Sequence, residues 1–175
     1  MDLDRYIPLD KSWIIRIGIL DLLNDRNEVL HFLSRQEFLG DDLLVLQKVL
    51  NSWKERKINV GESGTLFRFL QFISWKLKLG KIFVKEGTLK TRSICDDSAI
   101  VDLKQNELLK LDNGTSQWAS AAVLCGDAER LKNPPYKLQL TYDAVTYWEE
   151  KKLEGVQWES RKDKTIKQQA NAFLS

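Results

Sequence analysis

The stretch Leu111–Asp127 contains the side chains best suited to hold an anion. An Asn-Gly turn signal precedes the hydroxyls of Thr115 and Ser116, which can accept amide hydrogens from the first turn of a helix. With the Gln117 carboxamide and unpaired backbone N–H groups, they would meet at the positive end of that helix. This arrangement predicts a site for a phosphate or a similar anion. The alternative is a well-capped core helix, whose apolar face recurs at Trp118, Ala121, Ala122 and Cys125.

Two further loop-to-helix starts share this chemistry, at 11–12 and at 64–65. The three starts lie roughly fifty residues apart, a period typical of repeated mixed α/β units. If such units are related by rotation, their helix N-termini can converge on one patch, with Lys11, Arg16 and Arg92 as its cations. A ligand with more than one anionic group would suit that patch. The alternative is that these residues are surface charges and helix caps.

Composition bounds the class of protein. The chain has 175 residues, 43% of them hydrophobic and 30% charged, which predicts a single globular domain over residues 1–175. A net charge of +2 without a basic stripe in the sequence argues against nucleic acid, and no apolar run is long enough to span a membrane. Two cysteines without Cys-x-x-Cys spacing, a single histidine and no signal peptide predict a cytoplasmic chain without a metal or other cofactor.

Hydrophobic periodicity predicts a mixed fold, α/β or α+β. Helices are expected over 13–23, 41–53, 65–79, 116–125 and 143–152, with a short one within 24–40 and a further candidate at 94–103. Strands are expected before Gly61, at Lys81–Lys85 and at Glu107–Leu111. Tyr136–Tyr142 alternates as a strand or as an extended entry to a helix. Residues 149–175 are predicted to form a charged C-terminal helix and tail.

Four segments in order resemble the N-terminal half of 5-enolpyruvylshikimate-3-phosphate synthase, also called 3-phosphoshikimate 1-carboxyvinyltransferase. The family motif Ser-Lys-Ser-x-Ser-Asn-Arg compares with Asp10–Arg16, where Lys, Ser and Arg are in register. The motif Asn-Ala-Gly-Thr-Ala-x-Arg compares with Glu62–Arg68, and Ser-Ser-Gln before a helix of small residues compares with Thr115–Ala122. A Pro-Tyr pair compares with Pro135–Tyr136, and a family arginine compares with Arg92. The resemblance covers residues 10–148, and Lys-Ser rather than Lys-Asn favours the shikimate branch over the branch that acts on a UDP-sugar.

The resemblance implies a domain of repeated βαβαββ units, with helices inside and sheets outside. It also implies ligands, shikimate-3-phosphate and phosphoenolpyruvate, and a transfer of the enolpyruvyl group to the shikimate 5-hydroxyl in aromatic amino acid biosynthesis. Lys11 is the implied catalytic residue for proton transfer. The implied substrate-binding residues are Ser12, Arg16, Gly64, Thr65, Arg92, Thr115, Ser116, Gln117, Asn133 and Tyr136.

Departures from the family pattern limit what we expect of this chain alone. The family's second domain, which supplies acid and base groups, has no counterpart in residues 1–175, so a second chain that supplies this half is an expected partner. Glu62 replaces the family Asn, and a carboxylate opposes an anionic substrate unless it is turned away or paired. The alternative function is that of a non-catalytic relative that binds an anionic metabolite or a protein partner. No nucleic acid or membrane partner is expected.

Overall fold

The structure, a computed structural model, describes residues 11–126 and 134–151. Their architecture is α+β, rich in helix, with one two-stranded parallel sheet. The chain divides into two compact units. Unit 1 contains the described residues of Met1–Asn51 and Asp143–Ser175, and unit 2 contains those of Ser52–Tyr142.

Unit 1 is helical. Its elements are α1 (Lys11–Leu23), α2 (Glu28–Ser34), most of α3 (Asp41–Ser52) and most of α7 (Gln139–Lys151). Gly18 allows α1 to pack closely on its neighbours, because a Cβ there would lie 3.3 Å from a Leu46 methyl and 3.4 Å from a Val29 methyl. The core of the unit is formed by buried aliphatic and aromatic side chains, among them Ile14, Ile17, Phe32, Leu33, Leu43, Leu46 and Trp148.

Unit 2 is built around a β-α-β segment, which consists of β1 (Lys57–Gly61), α4 (Gly64–Lys76) and β2 (Ile82–Lys85). The strands are parallel, with Lys57 opposite Ile82 and Asn59 opposite Val84. The unit continues through α5 (Gln105–Leu108) and α6 (Gln117–Leu124), with two 3₁₀ turns between β2 and α5 and one between α5 and α6. Its core is formed by buried side chains that include Ile58, Val60, Leu66, Phe69, Leu70, Phe72, Ile73 and Trp118.

Most predicted elements are present, and one prediction is wrong. Residues 107–111, predicted as a strand, lie at α5 and its end, because the Glu107 carboxylate accepts the Lys104 amide at 2.9 Å and closes the first helical turn. Ser12 lies inside α1, which begins at Lys11. The helix considered for 94–103 is reduced to a 3₁₀ turn at Ser98–Asp102, and residues 136–142 enter α7 through another 3₁₀ turn.

The finer fold expectation is not decided by these elements. The described residues contain one two-stranded sheet, so the repeated βαβαββ fold stays a prediction. Among the described residues, no helix is both long enough and apolar enough to cross a membrane.

Candidate functional site

The N-terminus of α4 has one side-chain cap, which leaves two backbone amides of the first turn without a partner within the helix. Ser63 is the N-cap, and its hydroxyl accepts the Leu66 amide at 3.2 Å. The amides of Gly64 and Thr65 precede Leu66 and cannot be paired within the helix. Their N–H groups and the positive end of the helix therefore favour an anion here.

Arg68, one turn further along α4, joins this turn to the start of α6. Its Nη1 donates to Gln117 Oε1 at 2.7 Å, and Gln117 Nε2 donates to Thr65 Oγ1 at 2.7 Å. Thr65 and Gln117 both stand in the first turn of their helices, so the two helix starts are in direct contact. The structure thus brings together two predicted site residues, Thr65 of the second motif and Gln117 of the third.

Asp112 holds Arg68 in place. Its Oδ2 accepts Arg68 Nε at 2.9 Å and Trp118 Nε1 at 2.8 Å, and its Oδ1 accepts the Cys95 amide at 2.9 Å. Burial alone would raise the pKa of Asp112, but the hydrogen bonds from Trp118, Arg68 and Cys95 outweigh it and lower that pKa below its usual range. The backbone of Asp112 is left-handed, at φ 50° and ψ 50°, an uncommon conformation for a residue other than glycine.

Arg92 brings a second guanidinium to the start of α4. A Cβ on Gly64 would lie 2.8 Å from Arg92 Nη1 and 3.3 Å from Arg68 Nη1, so only glycine leaves room for both groups as they stand. Arg92 is exposed, and among the residues that the structure describes its side chain has no hydrogen bond or ion pair. Two guanidinium groups, of which Arg68 is paired with Asp112, therefore lie beside the positive end of a helix.

The start of α6 lies beside the segment that contains Tyr136. Thr115 Oγ1 accepts the Gln117 amide at 3.3 Å, while Ser116 is the N-cap without a side-chain cap bond. Lys137 Nζ donates to the Gly114 carbonyl at 2.9 Å and adds a cation next to Thr115. The Tyr136 ring itself is 95% exposed.

Glu62 is turned towards the loop after β2. Its Oε1 accepts the Thr88 amide at 2.9 Å, and a Cβ on Gly87 would overlap the Glu62 carboxylate at 1.6 Å. The Glu62 carboxylate is therefore paired with a backbone N–H group.

The remaining predicted site residues lie elsewhere. Lys11 and Arg16 belong to unit 1, where Lys11 Nζ pairs with Asp42 Oδ2 at 3.0 Å. Arg16 is buried, and its Nη1 donates to the Ser12 carbonyl at 3.0 Å. Asn133 lies outside the described residues.

Two residues of the cluster were missed from the sequence. Arg68 is not among the predicted site residues, although its position four residues after Gly64 places both on one face of α4. Asp112 is not among the predicted site residues either, although Asp-Asn-Gly at 112–114 is a sequence that tolerates the left-handed backbone found there. Within residues 11–126 and 134–151, no group of three or more His, Cys, Asp or Glu side chains is placed to hold a metal ion.

The fold and the cluster define a helix-rich α+β protein with a cationic polar cluster at two adjoining helix starts. Comparison with known proteins gives no significant match to a family model, to a curated protein or to a solved structure. The function is therefore argued from the cluster itself.

Proposed function

We propose that unit 2 binds an anionic metabolite, a phosphate ester or a carboxylate, at the adjoining starts of α4 and α6. The observation that supports this most directly is the position of Arg92. Its guanidinium lies over Gly64, beside Arg68, at the positive end of α4. Arg68 is already paired with Asp112, so Arg92 is the cation of this pair without a carboxylate partner among the described residues, and a bound anion would gain charge-assisted hydrogen bonds from it.

Backbone and side-chain groups at both helix starts can donate hydrogen bonds to such a ligand. The α4 turn offers the Gly64 and Thr65 amides, and Arg92 offers a guanidinium fork that fits a carboxylate or phosphate with two parallel bonds. Arg68 and Gln117 are already hydrogen-bonded to each other and act mainly as the frame of the site. Ser116 and Lys137, at the start of α6, can hold a second anionic group.

A narrower form of the proposal follows from the resemblance. The ligands are then shikimate-3-phosphate and phosphoenolpyruvate, and the chain is one half of a 3-phosphoshikimate 1-carboxyvinyltransferase of the βαβαββ fold, with Lys11 as its proton-transfer group. The neighbourhood of Thr115 and the Tyr136 segment, joined through Lys137 and Gly114, supports a shared site for the last two motifs. Catalysis would require a partner that supplies the second half.

Calorimetry on the full chain tests both forms. Titrations with phosphoenolpyruvate, shikimate-3-phosphate and inorganic phosphate should give binding that Arg92→Ala weakens by about tenfold or more, since a hydrogen bond to a charged group contributes ~1.5–3 kcal/mol. Lys90→Ala is the matched control, because Lys90 is an exposed cation two residues away. It should leave the affinity within about twofold.

The results separate the two forms of the proposal. If shikimate-3-phosphate binds no more tightly than inorganic phosphate, the narrower form is wrong and the general one stands. If none of the three anions binds at millimolar concentration, or if Lys90→Ala weakens binding as much as Arg92→Ala does, the general proposal is wrong as well.

A further inference from the structure

We propose that unit 2 also has a surface that docks on an anionic lipid membrane, formed by Lys76–Lys85 and the adjoining Lys54–Lys57. We call Lys76–Lys85 the basic-apolar segment. It lies at the end of α4 and in β2 and is separate in sequence from the proposed metabolite site. A protein can bind a membrane surface without spanning it, so this proposal departs from the sequence-based expectation of no membrane partner.

The basic-apolar segment exposes apolar side chains at an unusual density. Half of the exposed large hydrophobic residues in the described part of the chain lie within eight consecutive positions. They are between 41% and 50% exposed, and they are Leu77, Leu79, Ile82 and Val84. Clustered exposed apolar residues mark interaction surfaces, whereas single exposed hydrophobic residues are common on any protein.

The loop between α4 and β2 projects from the unit. Lys78 and Gly80 have positive φ, at 55° and 66°, and a Cβ on Gly80 would have no heavy atom within 4 Å. Ser74 holds the base of the loop, because its carbonyl accepts the Leu79 amide at 2.9 Å and its hydroxyl accepts the Lys81 amide at 3.0 Å. Leu77 and Leu79 are therefore presented on a short, anchored loop.

The sheet exposes two further apolar residues of the segment. Ile82 and Val84 alternate along β2 and share one face, and their opposite residues on β1, Lys57 and Asn59, are exposed as well. A parallel sheet is normally covered on both faces. This face of the two-stranded sheet leaves its apolar residues in solvent.

The charge of the segment has one sign. Lys76–Lys85 contains four lysines and no acidic residue, and the adjoining Lys54–Lys57 adds three basic residues and one glutamate. Lys81 joins the two stretches, since its Nζ donates to the carbonyls of Trp53 and Glu55. The formal net charge of the whole chain, +2, conceals this local excess.

Lysines around projecting leucines fit a lipid surface better than they fit a nucleic acid. Leucine gains free energy when it enters the boundary between headgroups and acyl chains, while the amines of the exposed Lys54, Lys57 and Lys78 remain with anionic headgroups. Recognition of nucleic acid relies on arginine forks and on stacked aromatic rings, and the exposed apolar residues of this segment are aliphatic. The surface therefore matches anionic phospholipid.

Vesicle co-sedimentation of the full chain tests the proposal. Vesicles of phosphatidylcholine with about one third phosphatidylserine should bind the chain, vesicles of phosphatidylcholine alone should bind it several-fold less, and 0.5 M salt should release it. The charge variant Lys78→Glu should weaken binding by about fivefold or more, since one basic residue contributes about that factor. The apolar variant Leu77→Ser/Leu79→Ser should weaken it similarly without changing the effect of salt.

The matched control is Leu103→Ser/Lys110→Glu, which alters an exposed leucine and an exposed lysine of unit 2 outside the segment. It should bind vesicles as the parent chain does, and circular dichroism checks that each variant is folded. The proposal is overturned by absence of vesicle binding at low salt, by equal binding of neutral and anionic vesicles, or by equal loss in the control. Tighter binding to RNA or to an acidic polypeptide than to the vesicles would also overturn it.

Discussion

Two aspartates, one in each unit, accept similar hydrogen bonds, but their pKa values are shifted in opposite directions. Asp21 Oδ1 accepts Trp148 Nε1 at 2.9 Å and its Oδ2 accepts the Val29 amide at 2.9 Å. Asp112 likewise accepts an indole N–H group and a backbone amide. Burial raises the pKa of Asp21 to about 6, against the hydrogen bonds that lower it, whereas the pKa of Asp112 is lowered.

The difference lies first in burial, since Asp21 is fully buried and Asp112 is half-buried, and then in the cations. Arg68 donates directly to Asp112, while Arg26, which lowers the pKa of Asp21 only weakly, is hydrogen-bonded to Glu28 through Nε at 3.0 Å. Asp21 is also 1% exposed and lies near the Glu28 carboxylate. Burial therefore dominates at Asp21, whereas at the less buried Asp112 the hydrogen bonds from Trp118, Arg68 and Cys95 together outweigh it. Asp112 functions as part of a cationic site, and Asp21 is a buried charge that destabilises unit 1 when ionised.

The largest effect should follow from Asp112→Asn. The change leaves Arg68 partly buried without its anion, and it places an amide N–H group against donors, so the free energy of unfolding should fall by about 3 kcal/mol. Urea unfolding followed by circular dichroism measures it. Asp97→Asn is the matched control, since Asp97 is exposed and only caps the Ala99 amide at 2.9 Å. A loss at Asp112 no greater than that at Asp97 would show that Arg68 does not depend on its carboxylate partner.

The second largest effect should be the pH dependence of the stability of unit 1. Because the folded pKa of Asp21 is raised from 3.8 to about 6, the folded state binds more protons between those values. The stability that this protonation contributes is fully present below about pH 4 and is lost as pH rises through about 6, with a total on the order of 2–3 kcal/mol. Asp112 acts in the opposite sense, since its contribution is present above about pH 4 and is lost as pH falls.

Variants separate these two titrations. Unfolding measured from pH 3 to pH 8 should lose its slope between pH 4 and pH 6 in Asp21→Asn, and Asp112→Asn should keep that slope. Trp148→Phe removes a donor that lowers the pKa of Asp21, so the slope should extend to higher pH. A slope that persists in Asp21→Asn would assign it to another group.

The sequence anticipated the helices of both units better than it anticipated the site. Leu43, Leu46 and Val49 in α3, and Leu66, Phe69, Leu70 and Ile73 in α4, repeat at helical spacing, and burial of an apolar stripe is a local property of sequence. The contact between Thr65 and Gln117 was anticipated only in outline, because it joins residues far apart in the chain. The role of Asp112 depends on donors from three separate segments, around Arg68, Cys95 and Trp118, and no pattern near Asp112 in the chain encodes them.

The smallest change in stability should follow from Gly64→Ala, which tests whether the cationic cluster of unit 2 is a site rather than packing. The added methyl group would meet the tip of Arg92, a flexible side chain, and alanine favours the helix, so the free energy of unfolding should change by less than about 1 kcal/mol. Phosphoenolpyruvate or phosphate binding should nevertheless weaken several-fold, because Arg92 is displaced from the α4 amides. Gly87→Ala is the contrast, since positive φ of 53° and overlap with Glu62 predict a loss of about 1–2 kcal/mol, with anion affinity retained by the folded fraction. Equal losses of stability at both glycines, with anion affinity unchanged at Gly64, would mean that the cluster only supports the fold, as Asp21 and its donors do in unit 1.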